Sequence, residues 1–324
     1  MKFRSKNLLV TGGAGFIGSN FIDYLFKKYK SIKIYNLDLL TYAGNLDNTK
    51  SFKENPNYLF IQGNICNKNL VESIYDKYEI DGVVNFAAES HVDNSIIDPD
   101  IFVKTNINGV YNLLNISYQK WMNSNFDFKQ KFKHSRFHQI STDEVYGSIK
   151  KGSFNEKSQY LPNSPYSASK ASADMLVRSF NKTFGLNTTI TVSSNNYGKN
   201  QHDEKFIPKI IYCLLNREFI PLYGDGLNTR DWINVNDNCE AIEKVFNHSL
   251  SGETYNVGAN NEIRNLDLID KIYNQLKKNH NIEKKIKFID DRFGHDRRYS
   301  LNTDKIFRDL NWKAKYKMKI DEII

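Results

Sequence analysis

Cysteine is scarce in this chain. The 324 residues contain three, Cys66, Cys213 and Cys239, scattered and without a CxxC pair. Neither a disulfide framework nor a zinc site is indicated, and no metal is expected. The sparse cysteines suit a reducing compartment, and a cytoplasmic location is the expectation. Long apolar runs are missing as well. None approaches the ~20 residues of a membrane span, so no membrane association is expected. The first run, Asn7-Leu8-Leu9-Val10, is too short for the apolar part of a signal peptide and reads as a strand. There is no internal repeat, no low-complexity linker and no nucleic-acid-binding motif. The net charge of +8 comes from lysines dispersed along the chain, not gathered in one stripe, which excludes nucleic acid as the expected partner. What remains is 40% hydrophobic and 25% charged, the make-up of a globular protein long enough for two domains and a large core.

The N-terminal half alternates apolar runs with helical patterns. Strand-like Asn7–Val10 leads into Thr11-Gly12-Gly13-Ala14-Gly15-Phe16-Ile17-Gly18 and then a helix with Phe21, Ile22, Leu25 and Phe26 on one face. Gly12 and Gly13 suit a tight turn, Gly15 a close backbone approach to a pyrophosphate, and Gly18 close packing of helix on strand. A second strand ends at Asp38, 20 residues after Gly18, where a carboxylate would take both ribose hydroxyls of NAD and repel the 2′-phosphate of NADP. Further strands are expected at Tyr58–Ile61, Gly82–Phe86 and Arg136–Ile140, with helices over Lys68–Tyr78 and, as one long element, Pro99–Trp121. Asn106 on that long helix points toward the sheet. Polar residues 123–136, with Phe126, Phe128 and Phe132 among them, read as a surface insertion. The alternation implies an α/β fold with a doubly wound parallel sheet of Rossmann type, whose site lies at the carboxyl ends of its strands. Small residues Ala87 and Ala88 at one such end leave room for a cofactor. His91 just beyond them reads more readily as structural than as a base.

The chemistry centres on Ser141-Thr142-Asp143-Glu144, at the end of the Arg136–Ile140 run. Tyr166 and Lys170 follow at i and i+4 on one face of a helix running to Phe184. A lysine ammonium beside a phenol favours the phenolate, so that Tyr166 can act as a base. Two adjacent acids can take opposite proton-transfer roles if their environments separate their pKa values. Downstream, Arg230 in a glycine-turn-to-strand segment is suited to clamping a diphosphate. A further strand is expected at Gly252–Gly258, returning to the first domain.

These motifs, with Asp38-Leu-Leu-Thr-Tyr-Ala-Gly-Asn45, Ala87-Ala-Glu-Ser-His-Val-Asp93, Ser194-Asn-Asn-Tyr-Gly198, Tyr223–Trp232 and Gly294-His-Asp-Arg-Arg-Tyr299, resemble the extended short-chain dehydrogenase/reductase family. Within it, the chain is similar to the nucleotide-sugar 4,6-dehydratases. The likeness runs from Leu8 to about Trp312, and the Asp143-Glu144 pair separates the chain from sugar epimerases that resemble it elsewhere. The resemblance implies a tightly bound NAD, regenerated each turnover, and a nucleoside-diphosphate-glucose substrate carrying thymine or uracil. The product is a 4-keto-6-deoxy sugar nucleotide for rhamnose-type 6-deoxysugars. It implies that Phe16, Ile17, Thr41, Asn64, Ile65, Ser90, Thr105 and Asn196 serve the cofactor alongside the glycines, Asp38, Ala87, Ala88, Tyr166 and Lys170. It places Ser90, Thr142, Asn195, Lys205, Phe206, Pro221, Tyr223, Arg230, Asn265, His295, Arg297, Arg298 and Tyr299 on the substrate. It also implies a homodimer through a four-helix interface built from the helices around Thr105–Trp121 and Tyr166–Phe184. The expected domains are 1–193 with about 231–260 for NAD, and 194–230 with 261–324, a smaller discontinuous α/β unit, for the sugar nucleotide. The chain departs from the family pattern at Asn64, Asn94, Val192, Phe293 and Asn311, and it stops at Ile324. A C4 epimerase or decarboxylase on the same fold, or an inactive NAD-binding scaffold, are the alternative readings.

Overall fold

The structure is a computed structural model and describes residues 3–318. Its centre is a sheet of seven strands, Asn7–Thr11, Lys33–Asp38, Tyr58–Gln62, Gly82–Asn85, Arg136–Thr142, Thr188–Ser193 and Thr254–Val257. Every neighbouring pair is parallel. Asn7–Thr11 lies between Lys33–Asp38 and Gly82–Asn85. The chain winds outward one way to Tyr58–Gln62 and the other way to Thr254–Val257. That reversal opens a crevice at the carboxyl ends of the strands, where a ligand can enter.

The short apolar runs fold this way because both faces of the sheet are covered. Leu8 and Val10 pack on one side with Ile34 and Val84, against Phe21, Ile22 and Leu25 of helix Phe16–Lys28 and against Cys239, Ile242 and Phe246 of helix Val235–His248. Leu9 points the other way, with Leu37, Val83, Phe137 and Ile190, into a core shared with helices Lys68–Tyr78, Val110–Trp121 and Pro165–Phe184. The period of two thus feeds two cores at once. Trp121 is fully buried there and donates its indole N–H to Ile80 O at 2.7 Å.

Helix Pro165–Phe184, which carries Tyr166 and Lys170, is closed at both ends. Ser164 and Ser167 form a reciprocal capping box, Pro165 occupies the first turn, and Gly185 ends the helix at φ 75. A side chain at Gly185 would meet the Phe126 ring at 2.5 Å. Phe126 of the insertion thus lies over this helix end although its ring is largely exposed. The insertion itself is a small hairpin, Met122–Ser124 with Asp127–Phe128.

Two expectations need correction. The strand expected to stop at Ile140 continues to Thr142, because Ser141 and Thr142 pair with Val192 and Ser193 of the neighbouring strand. The long helix expected over Pro99–Trp121 is α-helical at Pro99–Phe102 and Val110–Trp121, but Val103–Gly109 between them is a π-helical stretch. The wider turn accompanies two tight fits. The Asn106 amide reaches Glu89 O at 3.0 Å and Ser169 Oγ at 2.9 Å, and a Cβ on Gly109 would meet Ile65 at 2.5 Å. Neither is visible in a sequence period.

Beyond the large sheet, Thr229–Asn234 joins Asn195–Tyr197 and Glu262–Arg264 in a three-stranded sheet, and Phe219–Tyr223 pairs with Lys285–Ile289. Helices Phe206–Leu215 and Asn265–Leu276 pack on these through Ile207, Ile210, Leu214, Leu268 and Ile272.

Candidate active site

One cavity of about 990 Å³ runs from the glycine turn to the smaller sheets. At its first end, Gly12 has φ +71, and a Cβ there would meet Ala87 N at 2.7 Å. A Cβ on Gly18 would meet Gly12 O at 2.4 Å. The turn therefore lies flat against the next strand end, and the helix starts directly on it. No side chain caps helix Phe16–Lys28 at Gly15, so its first N–H groups face the cavity, where an anion is favoured. Asp38, buried at the end of Lys33–Asp38, accepts from Ala14 N at 2.9 Å and Leu40 N at 2.8 Å. Burial raises its pKa and the two N–H groups oppose that. Its remaining lone pairs can accept from vicinal hydroxyls. An N–H cradle for a pyrophosphate and a carboxylate for a ribose fit a dinucleotide. Thr41, Asn64, Ile65, Ala87, Ala88, Ser90, Thr105 and Asn196 line the same cavity. Asn64 Oδ1 accepts from Cys66 N at 2.8 Å, which fixes the amide that stands at this position. Among the described residues no group of His, Cys, Asp or Glu is arranged to hold a metal.

The middle of the cavity is lined by the groups expected to handle protons, Thr142, Asp143, Glu144, Tyr166 and Lys170. Thr142 caps a 3₁₀ turn, Asp143–Tyr146, and its Oγ1 accepts from Glu144 N at 3.4 Å. This turn delivers both acids to the cavity at the strand end. Asp143 is buried, and its Oδ2 has no hydrogen-bond partner among the described residues. Burial, then the charge of Glu144, lifts its pKa well above the ordinary carboxyl range. Glu144 is also raised by burial, but Arg230 and Lys205 pull it back. Arg230 opposes the rise at Asp143 too, but Asp143 is lifted further than Glu144, the direction that suits Asp143 to give a proton and Glu144 to take one.

Tyr166 and Lys170 are both buried beside them. Here the expectation that the ammonium lowers the phenol's pKa does not hold. Lys170 Nζ donates to Ile140 O at 2.6 Å. Burial, then Glu144, pushes the Tyr166 phenol up, and the opposing influence is a hydrogen bond with Thr142. Lys170 itself is lowered to about 8 by burial. In a desolvated wall the ammonium takes the carbonyl at the strand end, and burial disfavours the phenolate. His91 lines the cavity as a helix cap: its Nδ1 accepts from Asn94 N at 3.3 Å at the start of Val92–Ile97.

At the far end the cavity is lined by Asn195, Lys205, Phe206, Pro221, Tyr223, Arg230, Asn265, His295 and Tyr299. Arg230 is buried. Its guanidinium donates to Asp296 O at 2.8 Å and Thr229 O at 2.9 Å and stacks 4.3 Å from the centre of the Tyr299 ring. No salt bridge to a carboxylate neutralises it among the described residues, so the charge is available to an anionic ligand. Arg297 and Arg298, expected on the substrate, do not line the cavity. Arg297 is half-exposed and bonds Asp225 at 2.6 and 3.0 Å, and Arg298 bonds Glu262 at 2.6 and 2.7 Å. Their backbone bridges to Thr229, with Thr229 N donating to Arg297 O, while both guanidinium groups are held by carboxylates outside the cavity lining.

The cavity arginine of that segment is Arg292 instead, which stacks 4.7 Å from the centre of the Tyr223 ring and lies 3.5 Å from Asp93. The sequence offered three arginines within seven residues, 292–298, on an irregular turn, where no periodicity tells inward from outward. Gln201, His202 and Glu204 also line the cavity and carried no motif of their own, and Glu89 and Asp296 line it from within quoted motifs although no role was assigned to them.

A doubly wound sheet with a dinucleotide cradle, opening onto a tyrosine, a lysine and an acid pair opposite buried arginine, defines an extended short-chain dehydrogenase/reductase. The chain belongs to the GDP-mannose 4,6 dehydratase family, whose model matches residues 9–324. It is 44% identical over 310 residues, 96% of this chain and 94% of the other, to the low-salt glycan biosynthesis protein Agl12 of Haloferax volcanii. It is 44% identical over 317 residues, 95% of this chain and 93% of the relative, to the dTDP-glucose 4,6-dehydratase of Haemophilus influenzae. The crystal structure of DesIV, the dTDP-glucose 4,6-dehydratase of Streptomyces venezuelae with NAD bound, superposes with a TM-score of 0.88 at 38% identity, covering 98% of this chain and 94% of that one.

Proposed function

We propose that the protein is an NAD-dependent nucleoside-diphosphate-glucose 4,6-dehydratase, with dTDP-glucose as its first-choice substrate and UDP-glucose as the competitor. The observation that carries this reading is the split acid pair, Asp143 and Glu144, in one cavity with Tyr166, Lys170 and the glycine turn. The dehydratase names of the relatives support it. Thymine and uracil differ by one methyl, worth only ~1–3 kcal/mol in a pocket.

In the reaction, Arg230 and Arg292 hold the diphosphate at the far end. Gly12, Gly15, Gly18 and the first turn of helix Phe16–Lys28 hold the dinucleotide's pyrophosphate, and Asp38 its ribose. Bound NAD would supply a hydride acceptor at C4 of the sugar and a hydride donor at C6. Thr142 orients the C4 hydroxyl and Tyr166 takes its proton. The ketone acidifies the C5 hydrogen, which Glu144 removes as a proton. Asp143 gives its proton to the C6 hydroxyl, which leaves as water. Each acid thus acts in the protonation state that its surroundings favour. Asn195, Lys205, Phe206 and Tyr223 close around the nucleotide. A homodimer through the helices around Val110–Trp121 and Pro165–Phe184, a cytoplasmic location and a role in 6-deoxysugar formation accompany this reading. Exposed Tyr111 and Met175 on those helices suit such an interface.

Mass spectrometry of the product from dTDP-glucose tests the proposal. Loss of one water, with deuterium placed at C4 recovered at C6, is the expected result. A product of unchanged mass, or solvent hydrogen at C6, would overturn it. Parallel kinetics with UDP-glucose decide the base.

A further inference from the structure

Four residues beyond Lys170, on the same helix face, lies a carboxylate that the mechanism above does not use. Asp174 is completely buried. Its Oδ2 accepts from Ser141 Oγ and, at 3.2 Å, from the Tyr160 hydroxyl. Its Oδ1 has no hydrogen-bond partner among the described residues. Lys170 bonds Ile140 O, so Lys170 and Asp174 grip consecutive residues of the strand that ends in Thr142. Tyr166, Lys170 and Asp174 form a row at i, i+4 and i+8 down one helix face, from the reacting hydroxyl into the protein. A buried acid is costly unless its surroundings need its charge or its bonds.

We propose that Asp174 is a positioning residue of the reaction: its carboxylate docks the catalytic helix onto the strand end and supplies the negative charge that keeps Lys170 an ammonium ion. The inference rests on the dehydratase reading, since it concerns the lysine behind the proposed base. The groups facing Asp174 are Lys170 and Arg178 on its own helix, Ser141 on the strand, and Tyr160 and Tyr146 from the segment between them. Lys170 and Arg178 are the cations among them; Arg178 is one turn further from the reacting end. Burial drives Lys170 toward its neutral form, and Asp174 is the charge that opposes this. Asp174 in turn is raised to about 6 by burial, so it is ionised at neutral pH and above, where the opposition is needed. As an ammonium ion Lys170 holds Ile140 O, and with it the strand end that carries Thr142, more firmly than a neutral amine would.

Two substitutions separate charge from bonding. Asp174→Asn removes the charge and keeps an acceptor for Ser141 and Tyr160. Tyr160→Phe keeps the charge and removes one bond. The readouts are the titration midpoint of Lys170, followed by NMR of the ¹³Cε-labelled lysine, and NADH formation in a single turnover with dTDP-glucose on NAD-loaded enzyme. D174N should lower the Lys170 midpoint by about one pH unit, a tenfold change in acidity, and slow NADH formation by about tenfold at pH 7.5. Y160F should leave the midpoint in place. An unmoved midpoint in D174N, or equal shifts in D174N and Y160F, overturns the charge role. Should D174N fail to fold, Asp174→Glu carries the test. It retains the charge, so a fall in the Lys170 midpoint there overturns the proposal and a retained midpoint supports it. If wild-type enzyme itself forms neither NADH nor dehydrated product, the dehydratase reading fails instead, whatever the lysine does.

Discussion

Replacing Asp143 by asparagine should part the oxidation from the elimination. The side chain is 2% exposed, and its proton is held there by burial and by the neighbouring Glu144. Asparagine fills nearly the same volume but has no transferable acid proton. Thr142, Tyr166 and Lys170 are untouched, so the C4 hydroxyl is still oriented and deprotonated. General acid catalysis contributes roughly 10²–10⁴-fold, which is ~3–5 kcal/mol of barrier. D143N should therefore form NADH in the first turnover at close to the wild-type rate and then stall, with steady turnover lower by about 10²–10⁴-fold.

Stability should move the other way. The folded pKa of Asp143 lies above its unfolded value, so the unfolded chain releases that proton first as pH rises. From the unfolded pKa up to the folded one, this residue costs the wild type about 1.4 kcal/mol of stability per pH unit. Asparagine carries no such proton, so at pH 8 D143N should melt no lower than the wild type. Stopped-flow absorbance of NADH, product mass and thermal melts at pH 6 and 8 measure all three. Dehydration at the wild-type rate would refute the assignment. So would loss of the first-turnover NADH together with turnover, because oxidation would then depend on Asp143 too.

Gly12→Ala forces a Cβ to 2.7 Å from Ala87 N at φ +71. It should cost about 2–4 kcal/mol in urea unfolding and empty the protein of NAD; an unchanged midpoint contradicts the close approach. Arg230→Ala should raise KM by about 10–100-fold, whereas Arg297→Ala, paired outward with Asp225, should alter it by no more than about twofold; equal effects would put both on the ligand. His138, buried between Thr189 and Thr191, is lowered to about 3 by burial. Its contribution is whole above the unfolded value of roughly 6.5 and is lost as pH falls toward 3, at about 1.4 kcal/mol per unit. His138→Gln should therefore flatten acid unfolding between pH 6 and 4; parallel curves for the two proteins would exclude that role.

The dinucleotide half was legible because its signals are local. Gly12, Gly15 and Gly18 are dictated by backbone contacts within one turn, and Asp38 by the length of one helix and one strand. The helical pair at Tyr166 and Lys170 was placed by spacing in the same way, whereas the strand before it runs two residues past the expected Ile140 because it pairs with Thr188–Ser193. The π-helical stretch was not, since it accompanies the fit of Asn106 and Gly109 against segments distant in sequence. Arg292 against Arg297 and Arg298 was not either, because an irregular turn has no period and its facing depends on where Asp225, Glu262 and Thr229 lie.

The sequence by itself nominated the groups proposed to handle protons and determined that a dinucleotide belongs beside them. Their protonation was decided only by tertiary structure. Two adjacent carboxyls in a chain are near-equivalent acids until both are buried, one beside the other's charge and the other within reach of Lys205 as well as Arg230. Lys170 is an ordinary ammonium until burial and Asp174 compete for it. Solvent exclusion and charge at a distance arise only when segments far apart in the chain pack together, so these differences appear only on folding.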